Sequence, residues 1–203
     1  MVFDLGGVLI EWDPRQLYRK LMPEDEVDAF LDEIEFLTWN HACDAGMPWD
    51  EAVADLAARH PHRRELIAAY PARFAESLVG PIGGTVEILR ELRDAGVPLF
   101  ALTNWPAESF RHALDRFDFL EWFDGIVVSG AERVAKPDPR IFQLLLERYE
   151  LDPASTLFVD DASRNVSAAQ RAGLQAVQFI DAVQLRRELA AAALPVTSPP
   201  ATH

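Results

Sequence analysis

From Pro81 onward, apolar residues follow two alternating patterns along the chain. Short, continuously apolar runs are separated by segments in which apolar residues recur every three or four positions. The runs are typical of buried strands, and the wider spacing is typical of amphipathic helices. The pattern predicts strands over 99–102, 125–128, 157–159 and 176–180, and helices over 85–95, 106–117, 163–172 and 183–193, with a further helix that begins at Pro139. This alternation indicates an α/β fold in which a doubly wound parallel sheet carries helices on both faces.

The first eighty residues interrupt this alternation. A short strand is predicted over 2–5, whereas residues 14–80 show helical spacing, for example over 24–37 and 49–59, and no strand. We therefore expect an α/β core at 1–13 and 81–193, an all-helical insertion at 14–80, and a disordered, proline-rich tail at 194–203. The first strand is short for a buried central strand, which leaves open a natural start upstream of Met1.

Composition and charge narrow the class of protein. No run approaches the roughly 20 apolar residues that a membrane span requires. Acidic residues outnumber basic ones, 33 against 19, and the formal net charge of -14 disfavours binding to nucleic acid or anionic lipid. The one cysteine, Cys43, cannot form an internal disulfide, and charged residues begin before any secretory hydrophobic segment. These features predict a cytoplasmic globular protein without nucleic-acid or membrane partners. The sequence leaves both a monomer and a homodimer open.

Polar residues stand at or just after the carboxyl ends of four predicted strands. They are Asp4, Thr103 with Asn104, Lys136, and Asp160 with Asp161. In an open parallel sheet the carboxyl ends of the strands meet at one edge, where ligands bind. Taken singly, such residues are more often helix caps, turn formers or surface charges. The prediction of a site rests on their combination.

The adjacent carboxylates of Asp160 and Asp161 are the strongest indication of chemistry. Two carboxylates about 5 Å apart repel each other by roughly 3 kcal/mol at an effective dielectric constant of 20, and Asp4 nearby adds to this cost. A divalent cation removes the repulsion, and a set of oxygen ligands favours Mg2+ over Zn2+. The sequence therefore predicts a magnesium site.

Four segments in this order resemble the motifs of the haloacid dehalogenase superfamily. They are FDLGGVL at 3–9, LTN at 102–104, KP at 136–137 and FVDD at 158–161. The resemblance extends to about Ala193 and implies a Rossmann-like core with a helical cap inserted after the first motif. It implies that Asp4 is a nucleophile that forms an aspartyl-phosphate, and that Thr103 and the amide of Asn104 hold phosphate oxygens. Lys136 would offset the charge of the phosphoryl group.

The resemblance also implies the metal ligands and the part of the chain that selects the substrate. Asp161 would bind Mg2+ directly and Asp160 mainly through water, and Asp4 with the carbonyl oxygen of Gly6 would complete the ligands from the protein. Substrate choice is expected in the cap, for a small phosphorylated metabolite such as a sugar phosphate. The cap candidates for substrate contact are Trp39, Asn40, His41 and Asp44, whereas Trp49 is expected only to pack.

One position departs from most phosphatases of this superfamily. The second residue after their nucleophile is an aspartate that protonates the leaving oxygen and then activates water, but here it is Gly6. A branch similar to the bacterial glucose-1-phosphate phosphatases also has glycine there, and the sequence favours this branch. Water, a substrate with a good leaving group, or another residue such as His41, Asp44 or Asp13 stay open as replacements. A positive φ angle is an alternative reason for the glycine.

Three other functions share part of this pattern. A 2-haloacid dehalogenase uses the same aspartate on carbon and also lacks the second aspartate, but it needs no metal and has no use for an acidic pair. A signalling receiver domain carries its acidic pair after the first strand and its phosphorylated aspartate later, the reverse of the order here. A weakly active or non-catalytic protein that binds a phosphate ligand is the third alternative. The sequence favours a Mg2+-dependent phosphatase.

Overall fold

The computed structural model of the chain describes residues 1–197 and is built around a parallel sheet. The strands are β1 (Val2–Phe3), β2 (Ile10–Trp12), β3 (Leu78–Pro81), β4 (Phe100–Thr103), β5 (Gly125–Val128), β6 (Leu157–Asp160) and β7 (Gln175–Gln178). Five of them form the sheet in the order β5-β4-β1-β6-β7, and every neighbouring pair is parallel. Because β1 pairs with β4 on one side and with β6 on the other, the sheet grows outward from β1 in both directions. The prediction of a doubly wound α/β fold is confirmed.

Helices cover both faces of the sheet because successive strand residues point to opposite sides. Phe3 and Val159 face the hydrophobic cluster that contains α6 (Gly83–Asp94) and α11 (Ala182–Ala191). Their neighbours Val2 and Phe158 belong to the other cluster, with α9 (Pro139–Arg148) and α10 (Ser163–Arg171). Burial on both faces explains why the strands are continuously apolar.

Five helices lie between β2 and β3 and form what we call the helical insert. They are α1 (Arg15–Tyr18), α2 (Glu24–Glu33), α3 (Phe36–Asp44), α4 (Trp49–Arg59) and α5 (Arg64–Ala72). Their shared core is aromatic, since the ring of Tyr70 lies 4.8 Å from that of Phe36, 5.6 Å from that of Trp49 and 5.9 Å from that of Trp39. Two short helices, α7 (Arg111–Leu114) and α8 (Ser129–Glu132), follow β4 and β5.

Two predicted features in the first part of the chain are wrong. Residues 14–80 were expected to lack strands, but β3 begins at Leu78 and pairs antiparallel with β2, about 70 residues earlier. A partner so distant leaves no local signal, and the glycine and proline of β3 are poor strand formers. The first strand ends at Phe3 rather than at residue 5, because the chain turns at Leu5, whose carbonyl accepts hydrogen bonds from the amides of Leu9 and Ile10.

Two predicted helices are also shorter than the apolar spacing suggested. The segment 24–37 contains all of α2 and the start of α3, because Glu35 has a φ angle of 49° and turns the chain between them. The segment 106–117 contains a 3-10 turn at Ala107–Ser109 and only four residues of α-helix. Hydrophobic spacing reports which side chains are buried, and it carries no information on a backbone break between two buried segments.

The first residues of the predicted disordered tail pack against the core. Leu194 and Val196 contact the hydrophobic cluster, and the amide of Thr197 donates a 2.7 Å hydrogen bond to Glu91 Oε2. The expectation of disorder is therefore wrong for 194–197, because these apolar side chains pack against the hydrophobic cluster of the core. The rest of that prediction, 198–203, lies outside the described residues. No helix within 1–197 is both long and apolar enough to cross a membrane.

Buried hydrogen bonds fix the helical insert to the α/β core near the end of α3. Ser129 Oγ donates to the carbonyl oxygen of Asp44 at 2.5 Å and accepts from the amide of Trp105 at 2.9 Å. Close by, Trp49 Nε1 donates to Ser109 Oγ at 2.8 Å. Trp49 therefore packs, as predicted, and also binds the core. These bonds set the position of α3 relative to the carboxyl ends of β4 and β5.

Replacement of Ser129 by alanine tests this connection. The variant leaves the carbonyl of Asp44 and the amide of Trp105 buried without their partner, and each such group costs about 1–3 kcal/mol. We expect a clear loss of unfolding free energy in urea titrations. The matched control is Ser155→Ala, which removes an exposed hydroxyl and is expected to change stability by less than about 0.5 kcal/mol. Equal stability of the two variants would contradict a connecting role for Ser129.

Candidate active site

The carboxyl ends of the three central strands place polar side chains in a buried group. Asp4 follows β1, Thr103 ends β4 and Asp160 ends β6. Their exposed fractions are 7%, 0% and 0%. The three strands are neighbours, with β1 in the middle, so the side chains meet at the centre of the sheet. There the strand order reverses, because β4 lies on one side of β1 and β6 on the other. Open α/β sheets bind ligands at this point.

The ammonium group of Lys136 lies at the centre of the group and is fully buried. Its Nζ is 2.9 Å from Asp4 Oδ2 and 2.6 Å from Asp160 Oδ2, and it donates a 2.8 Å hydrogen bond to the carbonyl oxygen of Leu102. Burial by itself lowers the pKa of Lys136, but the two carboxylates outweigh burial and hold its pKa above the ordinary value. Lys136 is therefore a fixed cation beside Asp4.

Asn104 positions the loop that carries Lys136. Its side-chain Nδ2 donates to the carbonyl oxygen of Lys136 at 2.9 Å, and its Oδ1 accepts from the amide of Lys136 at 2.8 Å. This pair of bonds joins the loop after β4 to the loop that follows α8. The side chain of Asn104 therefore supports the lysine, and a phosphate contact from its main-chain amide stays a prediction.

Asp4, Asp160 and Asp161 form the acidic cluster that the sequence predicted. One oxygen from each of the three side chains lies within 4.8 Å of the others. Burial raises the pKa of Asp4, with Lys136 opposing the rise, and burial and the charge of Asp160 raise the pKa of Asp161. Three carboxylates face one lysine cation, so the cluster has an excess of negative charge and an oxygen-rich ligand set that suits a hard divalent cation.

The sequence reasoning missed Asn165, which lies in the first turn of α10. Its Nδ2 is 3.0 Å and 3.1 Å from the two oxygens of Asp160, and the amide of Ala162 donates to Asp160 Oδ1 at 2.9 Å. With Lys136, these donors occupy both oxygens of Asp160, whereas the side chain of Asp161 is free to face the cleft. A polar residue among the apolar positions on the buried side of α10 was the available signal.

A cleft of about 730 Å3 opens above the cluster, between the α/β core and the helical insert. From the core it is lined by Asp4, Gly6, Gly7, Asn104, Trp105, Pro106, Pro137, Asp161, Ala162, Arg164 and Asn165. From β2 and the segment that follows it, the lining residues are Trp12, Leu37, Thr38, Asn40, His41, Asp44 and Phe74. The predicted cap candidates Asn40, His41 and Asp44 are therefore in the cleft.

Trp39, predicted to contact substrate, is not among the residues that line the cleft. Its side chain is 5% exposed, and its Nε1 donates to the carbonyl oxygen of Ala52 at 2.9 Å. The ring packs against Phe36, Trp49 and Tyr70. The prediction is wrong because α3 turns Asn40 and Asp44 toward the cleft and Trp39 toward the interior of the helical insert. A tryptophan at the core face of a helix looks the same in sequence as one in a binding site.

The two titratable residues of α3 in the cleft differ in their surroundings. Desolvation in the cleft lowers the pKa of His41, and the positive charge of Arg164 lowers it further. Asp44 is 8% exposed. Burial raises the pKa of Asp44 to about 7, although Lys136 and the 3.2 Å hydrogen bond from Asn40 Nδ2 oppose the rise. At neutral pH the cleft thus contains a neutral imidazole and a carboxyl group close to half-protonation.

Several buried polar atoms around the cleft have no hydrogen-bond partner within residues 1–197. They are Thr103 Oγ1, Trp105 Nε1, Asn40 Oδ1 and Asn165 Oδ1. A buried polar group without a partner is costly, and ligands commonly provide the missing bond. Thr103 Oγ1 stands at the end of β4, the strand next to β1, and the sequence predicted a contact from this residue to a phosphate oxygen.

The glycines after Asp4 have different structural reasons. Gly7 has a φ angle of 76°, at which any side chain is strained, and a Cβ there would lie 2.7 Å from Asp161 Oδ2 and displace that side chain. Gly6 has no positive φ angle, and a Cβ there would meet nothing within 4 Å. The alternative that Gly6 is required by a positive φ angle is therefore wrong. The open space beside it means that backbone geometry does not forbid a side chain.

A model of the haloacid dehalogenase-like hydrolase family matches residues 1–173. The chain belongs to this family. Sesquiterpene phosphatase astK of Aspergillus oryzae is 30% identical over 190 residues, 93% of each chain. A phosphorylated carbohydrates phosphatase of Thermotoga maritima is 23% identical over 179 residues, which cover 87% of this hydrolase and 82% of the relative.

Solved structures of the haloacid dehalogenase family share the fold of this hydrolase. A family enzyme from Bacteroides thetaiotaomicron, in complex with magnesium and inorganic phosphate, has a TM-score of 0.66 at 23% identity, with 89% of this chain and 93% of that one covered. An L-2-haloacid dehalogenase from Xanthobacter autotrophicus, with chloropropionic acid covalently bound, has a TM-score of 0.65 at 21% identity, with 95% and 82% covered. The fold is thus common to phosphate-binding and dehalogenating relatives.

Alanine substitutions at Gly7 and Gly6 form a matched pair that tests the first motif. Gly7→Ala places a Cβ against Asp161 at a positive φ angle and is expected to lower the unfolding free energy by about 1–2 kcal/mol. Gly6→Ala meets open space and is expected to change it by less than about 1 kcal/mol. Chemical denaturation measures both. A Gly6→Ala variant as destabilised as Gly7→Ala would contradict the distinction.

The raised pKa of Asp44 predicts how stability depends on pH. The folded state holds this proton up to about pH 7, whereas an unfolded aspartate releases it near 3.9. The stabilisation is therefore complete below pH 4 and is lost as the pH rises toward 7. We expect the melting temperature of the metal-free protein to fall between pH 5 and pH 8, and Asp44→Asn to remove part of that fall. The exposed Asp55→Asn serves as control, and identical pH slopes for wild type and Asp44→Asn would refute the assignment.

Proposed function

We propose that this hydrolase cleaves phosphate monoesters of a small metabolite in a Mg2+-dependent reaction, with Asp4 as the nucleophile. The observation that carries the proposal is the geometry of Asp4, Lys136 and the acidic pair. A carboxylate beside a buried cation suits attack on phosphorus, because the ammonium group offsets charge that develops on the phosphoryl oxygens. The phosphatase relatives support the same reaction class.

Four residues have distinct roles in this reaction. An oxygen of Asp4 forms a bond to phosphorus while the bond to the leaving oxygen breaks, which gives an aspartyl-phosphate. Lys136, 2.9 Å from Asp4, pairs with the phosphoryl oxygens, and the unpartnered hydroxyl of Thr103 donates to one of them. The amide of Asn104 is a further donor. Attack by water on phosphorus then releases inorganic phosphate and restores Asp4.

The acidic cluster fits Mg2+ in number and kind of donor. Asp161 faces the cleft and would hold the ion directly with Asp4 and the carbonyl oxygen of Gly6. Asp160 would act mainly through water, since its oxygens already accept hydrogen bonds from Lys136 and Asn165. When bound, the ion supplies positive charge to the phosphoryl oxygens and cancels the repulsion among the carboxylates.

Sugar phosphates are our first choice of substrate. Thr38, Asn40 and His41 offer hydrogen bonds to hydroxyl groups from one wall of the cleft. Trp12, Phe74 and other apolar residues on the remaining walls can pack against a ring, and they equally suit a terpenoid skeleton such as the name of astK indicates. A screen of sugar phosphates, terpenyl phosphates and phosphoglycolate with Mg2+ distinguishes these classes. A cytoplasmic location, a monomeric or dimeric state and the absence of nucleic-acid or membrane partners accompany the proposal.

A 2-haloacid dehalogenase and a non-catalytic binding protein are the competing outcomes of that screen. Chloride release from a 2-haloacid without metal would favour the dehalogenase, whose fold this chain shares. Tight phosphate binding without turnover of any ester would favour a binding protein. We place the phosphatase first because a halide displacement makes no use of three clustered carboxylates.

Asp4→Asn tests the nucleophile. An amide of the same shape keeps the packing but cannot attack phosphorus, so turnover of every ester is expected to fall to background. Circular dichroism and the melting temperature should stay close to those of wild type. Asp13→Asn is the matched control, because Asp13 lies outside the cleft and accepts from the amide of Arg15, and it should keep wild-type turnover. Substantial turnover by Asp4→Asn would eliminate the assignment.

Magnesium is expected to raise the melting temperature, because a ligand that binds only the folded state stabilises it by mass action. The gain is about 2.7 kcal/mol at a concentration 100 times the dissociation constant. Asp161→Ala should abolish the shift, whereas Asp55→Ala, at an exposed acidic residue, should retain it. A wild-type melting temperature that is the same with and without millimolar Mg2+ would count against the metal site.

A further inference from the structure

We propose that Asp44, at the end of α3, is the general acid and base of the reaction and takes the place of the side chain that Gly6 lacks. This inference rests on the proposed phosphatase function. It assigns one residue to the role that the sequence left open among water, His41, Asp44, Asp13 and the choice of leaving group.

The position of Asp44 supports the role. Asp44 lines the same cleft as Asp4, and it comes from the helical insert, whereas Asp4 comes from the strand ends of the core. Its own carbonyl is held by Ser129 Oγ, which also accepts from the amide of Trp105, one residue beyond Asn104. A general acid must keep a fixed position relative to the nucleophile. The hydrogen bonds from the core supply this constraint.

The surroundings of the carboxyl group support the role as well. Asp44 Oδ2 accepts from Asn40 Nδ2 at 3.2 Å, whereas Oδ1 has no hydrogen bond from any residue in 1–197. The charged and titratable groups around it are Lys136 from the core, Tyr70 from α5 and Cys43 on its own helix. With burial dominant over Lys136, the group carries a proton near neutral pH and can also release it, as an acid and base must.

Asn40 adds a contact for the substrate beside this acid. Its Oδ1 is buried and has no partner within the described part of the chain, although the residue lines the cleft. A hydroxyl group of the leaving alcohol would satisfy this acceptor and would bring the ester oxygen toward Asp44. The pair therefore offers one orienting contact and one proton donor.

The two competing residues are less suited to the role. Asp13 does not line the active-site cleft, and its oxygens accept from the amide of Arg15 at 3.0 Å and from Gln16 Nε2 at 3.2 Å. His41 lines the cleft, but desolvation and Arg164 favour its neutral form, which is the poorer acid at neutral pH.

Asp44 transfers one proton in each of two steps. Asp4 Oδ forms the bond to phosphorus, the ester P–O bond breaks, and the leaving oxygen takes the proton of the Asp44 carboxyl group, which becomes a carboxylate. In the second step the Asp44 carboxylate takes a proton from water as the water oxygen bonds to phosphorus. The bond between phosphorus and Asp4 then breaks, and phosphate, free Asp4 and protonated Asp44 result.

Asp44→Asn, measured on phosphate esters of graded leaving-group pKa with Mg2+ present, tests the proposal. Wild type is expected to depend little on leaving-group pKa. The variant should lose about 100-fold or more in kcat/KM on alkyl phosphates, which need a proton, and only a few-fold on 2,4-dinitrophenyl phosphate, which does not. Gly6→Asp in the Asp44→Asn background should restore part of the alkyl activity, because the space beside Gly6 is open. Asp13→Asn is the control that should keep the wild-type dependence.

Other outcomes would contradict either the role of Asp44 or the proposed function. An equal loss on all esters would mean that Asp44 only maintains structure, and an unchanged dependence would mean that it transfers no proton; both overturn the proposal. Should the variant fail to fold, wild type alone suffices: kcat/KM for alkyl esters should fall above pH 7 with no matching fall for the dinitrophenyl ester, and parallel profiles would overturn the proposal. Wild type without Mg2+-dependent turnover of any ester, by contrast, would refute the proposed function itself.

Discussion

The ammonium group of Lys136 has no exposure to solvent, and its partners Asp4 and Asp160 lie 2.9 Å and 2.6 Å away. A buried charge without such partners costs several kcal/mol, so the lysine and the two carboxylates require one another. This constraint fixes which strands must be neighbours, because Asp4 directly follows β1 and Asp160 ends β6. It also explains the role of Asn104, whose side chain bonds both the amide and the carbonyl oxygen of Lys136.

One lysine does not neutralise three carboxylates. The remaining negative charge makes the site suitable for a divalent cation. Asp160 is occupied by Lys136 and Asn165, whereas Asp161 faces the cleft. The fully buried Asp160 thus mainly holds the lysine, and the exposed Asp161 is available to a cation. The two adjacent aspartates differ because β6 ends at Asp160 and buries its side chain, whereas Asp161 lies just beyond the strand.

The helical insert completes the site by its attachment to the core. Ser129 binds the last residue of α3, and this attachment holds Asn40 and Asp44 over the strand ends. Burial of Asp44 at the end of α3 raises its pKa to about 7, which a solvent-exposed position in the same helix would not do. The relatives of this chain include named phosphatases, and a dehalogenase has the same fold. The helical insert thus supplies the second wall of the cleft, opposite the strand ends of the shared fold.

The sequence by itself determined the sheet, the helices on its faces and the residues at the strand ends. Continuous apolar runs mark buried parallel strands. The carboxyl ends of such strands meet at one edge of the sheet, so Asp4, Thr103 and Asp160 come together there independently of the loop conformations. Only the tertiary structure decided the pairing of β2 with β3, the break at Glu35, and the inward direction of Trp39. It also decided that Asn165 supports Asp160 and that Asp44 is buried beside the cleft. These features depend on contacts between residues far apart in the chain or on the rotation of one helix, and the local pattern of apolar residues records neither.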